Sequence, residues 1–169
     1  MTSSAPPGLS RLNAASGPGA VALLHEVCAS TAWGAAVAAG RPYRRLDDLL
    51  AVSDAATAAL TAGDLAEAMA GHPPIGRPKP GDPTSAREQS GVADAEREEL
   101  LRLNLAYQDA HGHVFLICAT GRTGAQMLAA LNERIGNDRD TEREIVRTEL
   151  GKINRIRLTR LAATEEDPA

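Results

Sequence analysis

Residues 71–91 read GHPPIGRPKPGDPTSAREQSG, a proline- and glycine-rich stretch between two parts of the chain that have helical patterns. The stretch opens with His72 and closes with Ser85, Glu88 and Gln89. A long loop without regular structure is uncommon inside a compact domain, and where one occurs it is usually functional or disordered. Because this loop carries an imidazole and a carboxylate, we interpret it as functional and expect the surrounding helices to hold it.

The composition indicates the fold class. Of the 169 residues, 43% are hydrophobic, 24% are charged and only 2% are aromatic, and alanine is abundant. Alanine is the best helix former and fills closely packed helix interfaces. A chain of this length buries roughly 70% of its unfolded surface as one domain. We therefore predict an all-α protein, a single compact domain of about seven to nine helices with a long Pro/Gly-rich active-site loop.

Apolar residues spaced three and four apart locate the helices. We expect helices over the ranges 20–29, 31–40, 46–60, 63–70, 93–110 and 141–161, a short helix capped by Ser10, and a helix capped by Thr123. Trp33 is expected in the core. The helical domain is expected to cover residues 10–163, between a disordered tail over 1–9 and a flexible acidic tail over 164–169.

One apolar run interrupts the helical pattern. Residues 114–119 read VFLICA and follow Gly112, which is expected to end the preceding helix. The run fits a buried extended segment, and it also fits a buried helical turn, since its length does not separate the two.

Charge and apolar runs exclude several classes of function. The net charge is -4, whereas a protein that binds nucleic acid would show a basic domain or stripe. No apolar run approaches the roughly 20 residues of a membrane span, and the start, MTSSAPPGLSR, lacks the order of a signal peptide. We expect a cytoplasmic protein in which Cys28 and Cys118 are reduced core thiols.

His72 has two interpretations. It stands at a helix end, where the helix dipole favours a histidine for structural reasons alone. Histidine is also the side chain that gains and loses a proton near neutral pH, which a general acid or base requires. The two prolines that follow restrict the backbone here, so His72 is held without regular structure, and this favours the catalytic interpretation.

Residues 85–89 also have two interpretations. Ser85 and Glu88 fit the S-x-x-E capping box of a helix start. In that case Glu88 bonds backbone amides in solvent, whereas a catalytic Glu88 would face His72. The sequence leaves both open.

Three further sequence features are weaker indications of a functional site. His111 and His113 have the spacing of metal ligands but no carboxylate or cysteine cluster to complete a site, so we predict no metal. The turn at 121–124 lacks the order of a phosphate-binding loop. Arg157 lies in an arginine-rich helix. Its side chain either belongs to the solvated face that most of these arginines form, or points inward to an anionic substrate.

Three blocks of sequence follow the pattern of one family. Residues 72–76 read HPPIG where the pattern is HP-x-I-G, and residues 85–89 read SAREQ where it is S-x-x-E-Q. Asn104 and Tyr107 form its N-x-x-Y element, which runs into FLICA at 115–119. On these blocks the chain resembles the 2-oxo-4-hydroxy-4-carboxy-5-ureidoimidazoline (OHCU) decarboxylase family, which completes the conversion of urate to (S)-allantoin. Weaker agreement covers Trp33 and the ranges 41–43, 134–137 and 149–158.

The resemblance implies an all-α enzyme, usually a homodimer, that uses no metal or organic cofactor. It implies His72 as the catalytic residue and general acid, and we add Glu88 as its catalytic partner. The substrate-binding residues that it implies are Pro73, Ser85, Ala86, Arg87, Glu88, Gln89, Phe115, Leu116, Ile117, Cys118, Ala119 and Arg157. The expected partner is the small-molecule substrate OHCU, with no nucleic acid and no membrane.

The chain departs from the family where His111, His113 and Val114 replace an aromatic residue and a Gly-Phe-Pro sequence. These departures border the expected pocket and would favour an enzyme of the same mechanism that acts on a related ureido or imidazoline acid. A second alternative is a helical module that binds a ureide or purine catabolite without turning it over.

Overall fold

Nine α-helices account for the regular structure of the described residues, and no strand occurs among them. The computed structural model describes residues 5–75, 77, 80–89 and 94–165, apart from the side chains of 85, 94 and 95. The helices are α1 (Pro7–Ala14), α2 (Gly17–His25), α3 (Thr31–Ala39), α4 (Leu46–Ala58), α5 (Ala62–Ala70), α6 (Pro83–Glu88), α7 (Asp94–His111), α8 (Gly124–Arg134) and α9 (Arg139–Ala163). The predictions of an all-α protein and of seven to nine helices are confirmed.

Most helices begin where a side chain caps the first turn. The hydroxyl of Ser16 accepts a hydrogen bond from the N–H of Gly19 at 3.1 Å, so α2 begins earlier than expected. Thr123 and Gln126 cap α8 reciprocally, as the sequence predicted for Thr123. Asp138 accepts a hydrogen bond from the N–H of Thr141 at 2.9 Å, and α9 begins beside it.

The first helix differs from its prediction. It begins at Pro7, so Ser10 lies inside it and does not cap it. Proline is favoured in the first turn because its missing N–H would have no partner there. Leu9 and Leu12 are fully buried, which holds α1 in place although it is short.

The described residues divide into two compact units. The first comprises Met1–Glu67 with Gly151–Ala169, and the second comprises Ala68–Leu150. Along the chain, α9 contributes its first half to the second unit and its second half to the first.

The first unit is centred on α3. Trp33 is fully buried there, and its indole N–H donates to the hydroxyl of Ser53 at 3.3 Å, so the predicted core position is confirmed. The guanidinium of Arg41 donates to the carbonyl oxygens of Leu12 and Ala15 at 2.8 and 2.7 Å. These bonds satisfy carbonyl groups at the end of α1 and tie that helix to the end of α3.

The second unit has a core between α7 and α8, completed by chain that is not helical. Its buried cluster contains Ile75 from the proline-rich loop, three residues from 115–119, and side chains of both helices, Leu100, Tyr107, Met127 and Leu131. The core therefore contains residues from two of the three sequence blocks of the predicted site.

Both cysteines, Cys28 and Cys118, are buried free thiols, as predicted. Among the described residues no single helix is both long and apolar enough to cross a membrane, and α4 and α5 reach that length and composition only as a sharply bent pair.

Candidate active site

His72 lies directly after the C-terminus of α5, in a cavity of the proline-rich loop. Its backbone N–H donates to the carbonyl of Met69 at 3.0 Å, and its side chain is half-buried. The cavity has a volume of about 300 Å³. It is lined by Ala70, Gly71, His72, Pro73, Pro74, Arg77 and Pro80. The imidazole therefore stands at a concave surface with room for a small planar molecule.

Side-chain contacts of described residues help to fix the loop on which His72 stands. Ile75 is buried in the core of the second unit. The buried side chain of Gln89 donates from Nε2 to the carbonyl of Pro74 at 3.4 Å. The second of these contacts joins the first two sequence blocks, since Pro74 belongs to HPPIG and Gln89 to SAREQ.

The start of α6 decides between the two interpretations of residues 85–89. The helix begins at Pro83, and the carboxylate of Asp82 accepts the N–H of Thr84 at 2.9 Å. The carbonyl of Asp82 also accepts the N–H of Ala86 at 3.3 Å. Asp82 therefore caps this helix, and the interpretation of Ser85 as its cap is wrong.

The other predicted residues of this block differ in exposure. Glu88 ends α6 and is half-buried, whereas Ala86 and Arg87 are exposed. The side chain of Ser85 lies outside the described part of the structure, and so does Gly76 of the first block.

Residues 115–119 are buried and belong neither to a helix nor to a strand. The side chains of Phe115, Ile117 and Ala119 join the cluster around Ile75, whereas those of Leu116 and Cys118 do not. Side chains that alternate between two faces have the period of an extended chain. The extended segment is therefore the correct one of the two expectations for this run.

A buried ion pair lies against this segment. Glu142 is only 1% exposed, and it accepts hydrogen bonds from Nε of Arg134 at 2.7 Å and from the hydroxyl of Tyr107 at 2.5 Å. Asn137 donates to its other oxygen at 3.1 Å. The guanidinium of Arg134 also lies 4.4 Å above the centre of the Phe115 ring. These bonds satisfy the charges that burial would otherwise leave uncompensated.

The pKa values of this network follow from its contacts. Burial raises the pKa of the Glu142 carboxyl, but the hydrogen bonds from Arg134, Tyr107 and Asn137 outweigh burial and hold that pKa below its ordinary value. Burial, together with the hydrogen bond to Glu142, raises the pKa of Tyr107. At neutral pH the network therefore consists of a carboxylate, a guanidinium and a neutral phenol.

Among the described residues, three charged side chains bind the backbone of the 115–119 segment. Nη1 of Arg134 donates to the carbonyl of Leu116 at 2.8 Å. The N–H of Cys118 donates to Oε2 of Glu149 at 2.8 Å, and the carbonyl of Cys118 accepts Nε of Arg122 at 3.2 Å. The position of this segment is thus set by charged side chains.

Arg157 belongs to the first unit, whereas the His72 loop and the 115–119 segment belong to the second. It is half-buried, and its Nη1 donates to the carbonyl of Val27 at 3.0 Å. Its role toward a substrate carboxylate stays a prediction.

The two histidines that depart from the family pattern pack around Tyr107. The ring of His111 lies 4.4 Å from that of Tyr107, and the ring of His113 lies 5.6 Å from it. Nε2 of His111 is 3.0 Å from the carbonyl of Ile135. Within the part of the chain that the structure describes, no three His, Cys, Asp or Glu side chains are grouped so that they could hold a metal ion.

The sequence interpretation missed the residues that support the site. Arg134 and Glu149 stood only in the weaker blocks of the resemblance, and Glu142 was not singled out. Asn104 was noted in its motif without a role. It is fully buried, and among the described residues its Nδ2 has no hydrogen-bond partner.

The chain is similar to known proteins of urate degradation. A family model described as OHCU decarboxylase matches residues 13–159. The uric acid degradation bifunctional protein TTL of Arabidopsis thaliana is 38% identical over 108 residues, which is 58% of this chain and 33% of that protein. The uric acid degradation bifunctional protein PucL of Bacillus subtilis (strain 168) is 31% identical over 126 residues, which is 72% of this chain and 26% of that protein. The chain thus spans about a third or less of these relatives.

Two solved structures resemble the fold. A crystal structure of OHCU decarboxylase in the presence of (S)-allantoin is 28% identical, with a TM-score of 0.73, over 83% of this chain and 96% of that one. A crystal structure of (S)-allantoin synthase has a TM-score of 0.65 over 90% of this chain and 53% of that one, and at 21% identity it supports the fold alone. Since the family model covers most of the sequence, the chain belongs to the OHCU decarboxylase family.

Proposed function

We propose that this protein decarboxylates OHCU to (S)-allantoin in urate degradation, with His72 as the general acid. One observation carries the proposal: the bond from Gln89 to the Pro74 carbonyl and the packing of Ile75 bring the His72 loop, the end of α6 and the 115–119 segment together within one unit. These are the blocks on which the family resemblance rests.

The substrate itself supplies the electron sink. Its carboxylate is attached to a ring carbon that also bears the 4-hydroxyl and stands beside a ring C=N bond. When the bond to the carboxylate breaks, its electron pair forms a carbon–carbon double bond within the ring, and the former C=N nitrogen takes up a proton. CO₂ leaves and an enol remains, so the reaction needs no organic cofactor.

His72 has the chemistry for the next step. The enol becomes allantoin when the ring carbon that bears the ureido group accepts a proton and the 4-hydroxyl loses one. An imidazole fixed on one side of the ring delivers the proton to one face, which sets the (S) configuration. A positioned acid of this kind contributes roughly 10²- to 10⁴-fold to a rate.

The neighbouring groups suit a flat substrate that is rich in hydrogen-bonding groups. Glu88 is half-buried at the end of α6. Its proposed role is to bind the 4-hydroxyl of the substrate or to raise the basicity of His72. The proposed role of Ser85 and Gln89 is to bind the ureido group and the ring amides of the substrate. Ring amides also match the backbone of residues 115–119, because an extended backbone offers donors and acceptors in alternation.

The test follows the chirality of allantoin by circular dichroism, with OHCU generated from urate by upstream enzymes and this protein added last. OHCU decays on its own to racemic allantoin. We expect a rapid (S) signal with the wild type and its loss in His72→Ala, with helical circular dichroism unchanged. The matched control is His25→Ala, which removes an exposed histidine of the first unit and should keep full activity.

Three outcomes would overturn the proposal or part of it. Undiminished activity in His72→Ala would remove the acid role. Binding of (S)-allantoin without acceleration of the reaction would favour a ureide-binding module. Faster turnover of another ureido or imidazoline acid would replace OHCU as the substrate.

The proposal includes the homodimer that the resemblance implies and the cytoplasmic location that the sequence pattern led us to expect. Light scattering of the purified full chain at micromolar concentration tests the first, and a monomer mass there would contradict it. Fractionation of the source cells tests the second, and recovery outside the cytoplasm would contradict it.

A further inference from the structure

Within the part of the chain that the structure describes, the side chains that bind the backbone of the 115–119 segment all bind even-numbered residues. Arg134 binds the carbonyl of Leu116, Glu149 binds the N–H of Cys118, and Arg122 binds the carbonyl of Cys118. The side chains of the odd-numbered residues meanwhile enter the core cluster.

This alternation has a geometric meaning. In an extended chain the N–H and the C=O of one residue point to the same edge, and those of the next residue point to the opposite edge. Leu116 and Cys118 therefore present one edge, and Arg134, Glu149 and Arg122 occupy it in the place of a neighbouring strand. Bonds to charged groups are shorter and stronger than bonds between neutral groups, so three side chains hold this edge firmly.

The opposite edge belongs to Phe115 and Ile117. Among the described residues their backbone N–H and C=O groups have no hydrogen-bond partner. Both residues are buried, at 1% and 4% exposure, so bulk water does not reach these groups freely. Buried backbone groups are nearly always paired, and an unpaired one destabilises the fold. An ordered water or a ligand with matching donors and acceptors is the partner that such an edge requires.

We propose that Glu149, Arg134 and Arg122 are positioning residues for substrate binding. They hold one edge of the 115–119 segment so that the backbone of Phe115 and Ile117 forms a fixed edge for the amide groups of the substrate. A ureido group and a ring amide each carry an N–H beside a C=O, and can pair with such an edge as an added strand does. The inference rests on the proposed function and assigns to these three residues a role in substrate affinity.

Glu149 is the position at which the proposal is tested most directly. It is only 7% exposed, and its Oε2 accepts the N–H at the centre of the held edge. Glu149→Leu removes the acceptor, whereas Glu149→Gln keeps an acceptor oxygen without the charge. Arg122 provides a second variant because it lies in a turn and is half-buried, so Arg122→Leu disturbs the fold less. Arg102→Leu removes an exposed arginine of the same unit and is the matched control.

The first measurement is binding of (S)-allantoin by titration calorimetry, which is independent of turnover. We expect Glu149→Leu to raise Kd by about tenfold or more, since each tenfold corresponds to about 1.4 kcal/mol. Glu149→Gln should stay within about threefold of the wild type and Arg122→Leu should fall between the two, because one of three holding bonds is lost. Arg102→Leu should bind as the wild type does.

Kinetics on OHCU give the second readout. KM should rise in parallel with Kd while kcat falls less, because the edge binds the substrate and does not transfer the proton. Amide hydrogen exchange of residues 115–119 should accelerate in Glu149→Leu relative to α8.

Specific results would overturn the inference. A folded Glu149→Leu protein with the Kd of the wild type would do so, and so would a Glu149→Gln protein as impaired as Glu149→Leu. If Glu149→Leu does not fold, an unchanged Kd in Arg122→Leu would decide against it. A wild-type protein that binds (S)-allantoin but does not accelerate OHCU decay would refute the proposed function alone, since the binding differences would still test the edge.

Discussion

The two segments that carry the proposed site are held in different ways. The loop with His72 is restrained by consecutive prolines, by the burial of Ile75, by backbone hydrogen bonds from His72 to Met69 at 3.0 Å and from Arg77 to Pro74 at 3.1 Å, and by a longer bond from the Gln89 side chain at 3.4 Å. The 115–119 segment is held by three charged side chains at 2.8 to 3.2 Å, behind which lies a buried ion pair.

The difference in how the two segments are held matches the role that we propose for each. Proline restricts a backbone mainly by removing conformations from the unfolded chain, and it needs no partner in the fold. Such a loop can present an imidazole at a cavity because the proline rings themselves restrict its backbone. A segment that binds a ligand through one edge of its backbone needs hydrogen-bond partners on its other edge, and charged side chains supply them here, where the described residues form no sheet. The first device should be insensitive to acid, and the second should not be.

The largest effect is expected from Glu142→Ala. This change leaves the guanidinium of Arg134 buried without its carboxylate and removes the acceptor of Tyr107. Removing one partner of a buried pair destabilises a protein by about 3–5 kcal/mol. Urea unfolding followed by circular dichroism measures the free energy of unfolding.

The control for this prediction is Glu144→Ala on the same helix. Glu144 pairs with Arg147 at 3.3 Å, but its side chain is 68% exposed. Exposed pairs contribute about 0–1 kcal/mol. If the two variants lost similar stability, the buried pair would not be what holds the 115–119 segment.

The two segments should also differ in how their stability depends on pH. The folded-state pKa of Glu142 lies below that of an ordinary glutamate, because its hydrogen bonds outweigh its burial. Its charge therefore contributes full stability above the unfolded pKa of about 4.3, and this contribution is lost as the pH falls through the folded pKa. We expect the difference in unfolding free energy between the wild type and Glu142→Gln to shrink between about pH 6 and about pH 3.

In the His72 loop, Ile75→Ala is the variant to compare with those of Glu142. Removing a buried isoleucine side chain destabilises by about 2–5 kcal/mol, and no ionisable group is involved. Its effect should therefore be the same across this pH range in the same urea experiment. A loss that shrinks with acid in Ile75→Ala, or one that stays constant in Glu142→Gln, would contradict the distinction between the two segments.

The sequence predicted the parts of the fold that depend on neighbouring residues. Periodic apolar positions located the main helices, and Thr123 and Gln126 lie close enough in sequence to be read as a cap. The start of α1 was missed because Pro7 begins the helix before the polar residue expected to cap it. The cap of α6 was missed for the same reason, since Asp82 precedes a proline in the first turn and Ser85 follows it.

The supporting residues of the site could not be predicted in this way. Glu142 meets Tyr107 across 35 positions of sequence, and Glu149 meets Cys118 across 31. Both carboxylates stand in a helix rich in arginine and glutamate, whose exposed pairs have the same local pattern. Burial alone separates these two from their neighbours, and burial is set by the rest of the fold. His72 could be singled out from the sequence because its two prolines adjoin it, and its catalytic role stays a prediction.

The smallest effect concerns those two prolines and separates their roles. A proline restricts the residue before it, so Pro73 limits the backbone of His72 while Pro74 limits that of Pro73. Replacing either by alanine should lower stability by about 0.4–1 kcal/mol through the unfolded chain.

Only Pro73→Ala releases His72 itself, so we expect it to lower kcat by about two- to fivefold, the rate equivalent of the same free energy, while Pro74→Ala keeps kcat near the wild-type value. Steady-state kinetics on OHCU beside urea unfolding measures both quantities. Equal kcat values in the two variants would mean that the cavity, and not the restricted backbone, sets the position of the imidazole.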